Sequence, residues 1–423
     1  MKSILILVCA LLFFCGCRDS MNPAPLVKNG YLDLSSWDFE KDGNITLEGN
    51  WEFYWNQLLI RDNFKSGNAP EFDAYVKVPH SWNNTVIKGN KISGIGCATY
   101  KLHVKLNKQE KALALKLRDA SSAYAIYADY NLIASAGNVS CDASLMEPEL
   151  KTQTAIFNIN ASEFDLLVQV SNNFHHEGGL WENMQLGTTS NIIKARENAL
   201  IKEIFIVGAV AILCLFHFFT FFMRRSDKAL LWFAILCFSI FFFLLFRGER
   251  IIYLWFPNLS PTLGYKLEYL LIFMNPIALT GYLSIVFSKD FPVNMKRIIY
   301  GTCALIFIII IVTPTSTYSS FMLWFRMVMI ALALCLCVIA ALSLIRKRRL
   351  AVFFLAGLII ILLAVTNDVL YAQKLLNTKP MASFAFVVFL LSQAYLIAKH
   401  YYHGYSEMAN ELKSFQNKQI NES

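Results

Sequence analysis

Charge is scarce in this chain: Asp, Glu, Lys and Arg make up 16% of its 423 residues, against roughly 25% in soluble globular proteins. With 56% hydrophobic and 14% aromatic residues and a mean hydropathy of +0.44, that deficit excludes a wholly water-soluble protein. The deficit is local. Residues 20 to 200 read as an ordinary soluble domain, whereas 204 to 402 carry one apolar run after another, so two regions face two solvents. Cysteine, ten in number, is missing where it would build a disulfide framework. Cys9, Cys15 and Cys17 stand in the first twenty residues, and Cys214, Cys237, Cys303, Cys335 and Cys337 stand in apolar runs, where a thiol behaves as a small hydrophobe. Cys97 and Cys141 alone belong to the soluble region. Export would permit a bridge between them, and a bridge or two free thiols both fit the sequence.

The marks of chemistry are also lacking. No nucleophile with a base, no paired carboxylates and no metal cluster stands out, so neither enzymatic activity nor a cofactor is expected. His175, His176 and Glu177 precede Gly178-Gly179, but neighbours on a strand point to opposite faces, and no metal site is expected there. A transporter would place polar groups near the bilayer midplane, and the centres of these apolar runs are aliphatic and aromatic.

What is present begins with MKSILILVCALLFFCGCRDS. One basic residue, an apolar stretch from Ile4 to Phe14 and Cys15-Gly16-Cys17 read as an export signal over 1–17, too short for a comfortable span. The ending resembles a lipobox, which makes Cys17 the candidate for lipidation; plain cleavage or an uncleaved anchor would export the next segment equally well. Seven later runs are long enough to cross a bilayer: Ile204 to Met223, Leu230 to Phe246, Leu267 to Phe287, Ile298 to Thr313, Phe321 to Ile345, Ala351 to Tyr371 and Met381 to Lys399. With the N-terminal region outside, the inward loops hold ten Lys and Arg, among them Arg224, Lys296 and Arg346 to Arg349, and the outward loops five. That bias agrees with the positive-inside rule. The net charge of +8 is thereby topological in large part and requires no nucleic-acid partner.

The exported region reads as all-β. Tyr100, Leu102, Val104 and Leu106 alternate with polar residues, Leu113, Leu115 and Leu117 alternate with Ala and Lys, and Leu166 to Val170 forms a third run. Asp42-Gly43, Gly94, Gly96 and Gly137-Asn138 punctuate these runs as turns, the pattern of a sandwich of short strands.

GYLDLSSWDFEKDGNITLEGNWEFYWNQLL (30 to 59), VPHSWNN (78 to 84), GIGCATYKL (94 to 102) and VSNNFHHEGGLW (170 to 181) resemble the extracellular sensor of bacterial seven-transmembrane receptors with diverse intracellular signalling modules, the DISM receptors. Phe222-Met223-Arg224-Arg225, Phe246-Arg247-Gly248-Glu249-Arg250, Thr366 to Tyr371 and Ser392-Gln393-Ala394-Tyr395 resemble that family's membrane positions, and the resemblance runs from about residue 28 to 415. It implies a galactose-binding-like jelly roll over 25–190 that senses a small-molecule or carbohydrate ligand, and a seven-transmembrane domain over 200–402 embedded in membrane lipid. Relatives commonly continue into a histidine kinase, diguanylate cyclase or phosphatase. Here residues 403–423 are expected to be a short cytoplasmic helical tail, which implies a separate cytoplasmic signalling partner. In the tail Tyr405, Met408, Leu412 and Phe415 follow an a/d spacing; a homodimer stub and a frayed amphipathic end both fit.

The site residues expected to contact ligand are Trp82, His175, His176 and Trp181, by aromatic stacking and hydrogen bonding, although an aromatic in a sandwich also serves its core. Ionisable residues beside the spans are costly unless paired or snorkelling. Glu249, Glu268, Arg326 and Asp368 fall toward the outer face. They are expected to form a coupling cluster beneath the sensor, with Arg326 paired to Asp368 or Glu268; separate snorkelling is the other reading. The chain reads as an inner-membrane receptor with its C-terminus in the cytoplasm; the alternative is a membrane-anchored carbohydrate-binding or structural protein without signalling output.

Overall fold

The structure, a computed structural model, describes residues 24–65, 69–107, 112–346, 351–372, 376, 378, 380–399 and 402. The export signal with Cys17 and the tail positions Tyr405 to Phe415 lie outside the described residues.

The expected β-sandwich is present. Its larger sheet contains β1 (Tyr31–Leu34), β3 (Gly49–Trp55), β4 (Ala74–Val78), β7 (Gly96–Leu106), β9 (Ala123–Ala128), β10 (Asn131–Ala136) and β12 (Glu163–Asn172), in the order β10-β9-β12-β7-β3-β4 with β1 parallel to β7. The smaller sheet runs β11 (Gln153–Phe157), β8 (Leu113–Leu117), β13 (Met184–Thr188), β2 (Ile45–Thr46). A two-stranded ribbon, β5 (Val86–Ile87) with β6 (Asn90–Lys91), stands apart. Because successive strand side chains point to opposite faces, Ala98, Tyr100, Leu102, Val104 and Leu106 of β7 all enter the core, where they meet Leu113, Leu115 and Leu117 of β8. Trp51, Phe53, Trp82 and Tyr100 form its aromatic centre, with Phe53 and Tyr100 edge to face at 4.9 Å. Cys97 and Cys141 are joined as a disulfide, their Cα atoms 5.1 Å apart.

Among the described residues, seven helices are long and apolar enough to cross a membrane: α1 (Thr189–Met223), α2 (Lys228–Leu245), α4 (Pro261–Val286), α5 (Val293–Val312), α7 (Met322–Ile345), α8 (Ala351–Ala372) and α9 (Ala382–Lys399). Two short helices, α3 (Ile251–Trp255) and α6 (Thr315–Ser320), follow α2 and α5 on the sandwich side. The sequence placed the start of the first span at Ile204, but α1 begins at Thr189 and runs 35 residues without a break. Counting apolar residues finds only the part of a helix that meets lipid. The earlier turns, TSNIIKARENALIKE, bury Ile192, and Thr188 at the end of β13 caps them by accepting the Asn191 N–H at 3.4 Å. The last strand of the sandwich therefore passes directly into the first helix of the bundle.

Candidate functional site

The sandwich is seated on the bundle through its smaller sheet and the adjoining loops. In β8 the leucines face the core, so Lys116 points to the other side. That side is covered by helix, and the Lys116 ammonium donates to Oε1 of Glu249 with both side chains nearly dry, 9% and 4% exposed. Just past β8, Asp119 Oδ2 accepts from Arg250 Nη2 at 2.6 Å, with the two side chains 5% and 13% exposed. Both carboxylates and both cations would be costly to bury alone, so each bridge ties its sandwich residue to the α2–α3 connection.

That connection is shaped by two left-handed residues, Gly248 (φ 59°) and Arg250 (φ 54°). A side chain at position 248 would meet Glu203 Oε1 at 2.0 Å, which is why glycine stands there. The Glu203 carboxylate of α1 takes up the Glu249 N–H, at 3.1 and 2.9 Å to its two oxygens. Arg247 Nη1 donates to Glu268 Oε1 of α4 at 2.9 Å, and Arg250 Nη1 lies 4.0 Å from Glu268 Oε2. Helices α1 and α4 and the α2–α3 loop thus share one charged network with Lys116 and Asp119 of the sensor. Among the described residues, Asp119 Oδ1, Glu249 Oε2 and Arg250 Nη1 are buried without a hydrogen bond, so the network is incompletely satisfied. Burial pushes the Asp119 carboxyl up to about 6, against the pull of Arg250.

A second contact is made by residues 174–177, which follow β12. Phe174 and His175 rest on Tyr265 of α4, at 5.7 and 5.5 Å between ring centroids, and His175 meets Trp181 edge-on at 4.9 Å. The His176 N–H donates to Ser319 Oγ of α6 at 2.9 Å. Leu150 of the sensor joins Tyr265, Tyr269, Phe273 and Tyr318 in one apolar cluster. Burial holds the His175 imidazole down at about 4, the Glu177 carbonyl acting in the opposite sense.

The residues picked from sequence are thus spread over three settings. Trp82 is not a stacking platform: it is 0% exposed, packed on Phe53 and Trp55, and spends its Nε1–H on the Gly94 carbonyl at 3.1 Å. His175 is likewise closed to solvent, because the bundle covers it. Trp181 is half-buried beside it, and His176 is exposed on a cleft between the two domains. Glu249 and Glu268 do enter one cluster, but Arg326 and Asp368 stand outside it. Glu268 is already taken by Arg247 and Arg250, Arg326 is exposed on α7, and Asp368 accepts the N–H groups of Met381 and Ala382 at 2.6 and 3.0 Å where α9 begins. Lys116, Asp119, Glu203 and Arg250 were missed. A lysine inside an otherwise apolar strand, Leu-Ala-Leu-Lys-Leu, was the signal for Lys116, and Glu203 and Arg250 stand beside spans just as Glu249 does.

A β-sandwich joined through a buried charged junction to seven helices long and apolar enough to cross a membrane has the architecture of a multi-pass membrane protein. Residues 200–400 match the family model described as 7TM diverse intracellular signalling. The membrane half of the chain belongs to that family of membrane signalling receptors. Over 34% of its length the chain is similar in fold to a GH2 β-galacturonidase from Eisenbergiella tayi (16% identity, TM-score 0.24, 24% of that chain covered). It is similar over the same share to a β-glucuronidase from Ruminococcus gnavus (15%, 0.27, 29%) and to β-glucuronidase 2 from Bacteroides uniformis (19%, 0.24, 17%). The chain thus spans less than a third of each of those enzymes. No curated protein matches it.

Proposed function

We propose that this protein is a receptor of the bacterial inner membrane whose β-sandwich lies outside, binds a small extracytoplasmic ligand of carbohydrate type, and passes the event through the junction and the seven helices to a separate cytoplasmic partner, without catalysing a reaction itself. The observation that carries this reading is the nearly dry bridge between Asp119 of the sensor and Arg250 of the bundle. A ligand shifts a conformational equilibrium only by binding one state better than the other, and a buried, incompletely satisfied ion-pair network that joins the two domains is where such a shift would be felt. The excess of Lys and Arg on the loops away from the sandwich supports the orientation.

The test uses the whole chain in lipid nanodiscs. A glycan and metabolite set is screened by thermal shift, since a ligand that binds the native state raises its melting temperature. For each saturable hit, hydrogen exchange is read at residues 224–228 and 289–297, on the far side of the bundle. The expected result is altered exchange there in the wild type and none in Arg250→Met. A ligand that stabilises the protein while leaving those segments unchanged refutes transmission.

A further inference from the structure

Between the sandwich and α6 lies a cleft of about 290 Å³ lined by Asn83, Asn84, Ile92, Ile95, His176 and Ser316, among others. We infer that this cleft is where the receptor proposed above takes its ligand, a small uncharged ring with hydroxyl groups along one edge and an apolar face. The inference rests on that receptor reading and adds to it a place and a chemical class.

The sensor wall is rigid before anything binds. Asn83 Oδ1 accepts from Ser81 Oγ at 2.7 Å and from the Gly178 N–H at 3.0 Å, and its Nδ2 donates to the His176 carbonyl at 3.0 Å. The Gly94 carbonyl is fixed by Trp82 Nε1 at 3.1 Å and Asn172 Nδ2 at 2.8 Å. Gly94 also approaches so near that a Cβ there would sit 1.9 Å from the His176 carbonyl oxygen. With Asn83 consumed by the wall, the groups left to meet a ligand are the Asn84 amide, the His176 ring and the Ser316 hydroxyl, with Ile92 and the exposed Ile95 as the apolar side. None of these described lining residues carries a fixed charge, and the volume lies just under the lower bound of ligand sites, roughly 300–1,000 Å³, which limits the occupant to a small molecule. A hydroxylated ring matches that mixture; an anion finds no cation among them.

The opposite wall belongs to the bundle. Ser316 lies on α6, which is joined to the sensor wall by the hydrogen bond from the His176 N–H to Ser319 Oγ. An occupant therefore touches both domains and sets their separation where α6 meets the sensor, the differential contact that a transmitted signal needs.

The experiment measures thermal shifts of the full chain in nanodiscs with glucose, galactose and N-acetylglucosamine, and with glucuronate and galacturonate as charged counterparts. It is repeated with Ser316→Leu, which fills the cleft from the bundle side, and Asn84→Asp, which keeps a residue type that tolerates the φ of 65°. The expected result is a saturable shift with a neutral sugar that exceeds that of the uronates. Its apparent affinity should fall by about tenfold or more in both variants while melting without ligand stays unchanged. A shift indifferent to both variants overturns the site, and no shift with any neutral sugar overturns the ligand class. If sugar binding behaves as expected but exchange at residues 289–297 does not respond, the cleft stands and the receptor reading fails.

Discussion

The junction contains two titrating groups that pull in opposite directions as the pH falls, and their opposition is open to measurement. Asp119 has its carboxyl raised from the ordinary 3.8 to about 6 by burial, so the docked state binds its proton more readily than the undocked one. Its contribution to docking is fully present below 3.8 and is lost as the pH rises through 6. His175 is lowered from 6.5 to about 4 by burial. Its contribution is present above 6.5 and is lost as the pH falls through 4. Going from pH 7 to pH 5, linkage gives a gain of about 1 kcal/mol from Asp119 and a loss of about 2 kcal/mol from His175. The wild-type junction should therefore respond weakly to mild acid on account of these two groups. Removing either partner unmasks the other: Asp119→Asn should lose stability on acidification more steeply than wild type, and His175→Phe should lose less or gain. The assay is hydrogen exchange of the full chain in nanodiscs at residues 117–123 and 247–253, corrected for the chemical exchange rate at each pH and converted to an opening free energy. Taking the difference between variant and wild type cancels the titrating groups that interact with neither residue. If the two variants shift in parallel between pH 7 and pH 5, the assignment of these groups to one docking equilibrium is refuted.

Other substitutions probe the same architecture. Gly248→Ala combines a left-handed backbone with a contact of 2.0 Å to Glu203, so it should loosen the α2–α3 loop by about 1–3 kcal/mol, seen as faster exchange at residues 247–253. Trp82→Ala should cost about 3–5 kcal/mol of sandwich stability, read as a lower melting temperature without ligand; an unchanged melting temperature would mean the ring is not in the core. Cys97→Ser opens a bridge between residues 44 apart in sequence and should cost about 2–4 kcal/mol, a loss that reductant reproduces in the wild type and not in the variant. Arg326→Gln should be nearly silent in melting, whereas Glu268→Gln removes the buried negative charge that faces Arg247 and Arg250 and should lower the melting temperature.

The fold was legible because two solvents write different periods. Alternation of Tyr100, Leu102, Val104 and Leu106 marks a strand with one face in a core, and runs of about twenty apolar residues mark helices in lipid; both readings hold at those residues. The junction was poorly legible because it obeys neither rule. Lys116 alternates correctly for an outward position, yet outward there means toward the bundle, and no local pattern says what covers a sheet. Partner choice was equally hidden. Glu268 and Arg326 lie within reach of one another in sequence logic, but the turn made by Gly248 and Arg250 delivers Arg247 and Arg250 to Glu268 first. Aromatic content misled in the other direction: Trp82 has the chemistry of a sugar platform and the position of a core residue.

The continuity of α1 constrains how a signal can travel. A sensor tethered by a flexible linker would be free to bind without informing the helices, but β13 ends at Thr188 and α1 begins at Thr189, with Ile192 buried and the Asn191 side chain donating to the Phe39 carbonyl at 2.7 Å. The first helix therefore moves with the smaller sheet as one body. Contacts elsewhere, Lys116 with Glu249, Asp119 with Arg250 and His176 with Ser319, join that body to the α2–α3 loop and to α6, which belong to other helices of the bundle. Under the receptor reading proposed above, a change at the α6 contact would be taken up by rotating the sandwich about its remaining attachments, and with α1 continuous with the sandwich that rotation would tilt α1 against α2 and α4. About 35 residues of helix at 1.5 Å each make a lever of roughly 50 Å, so a tilt of a few degrees at the junction displaces the far end of α1 by a few ångströms, a size typical of helix shifts in signalling proteins.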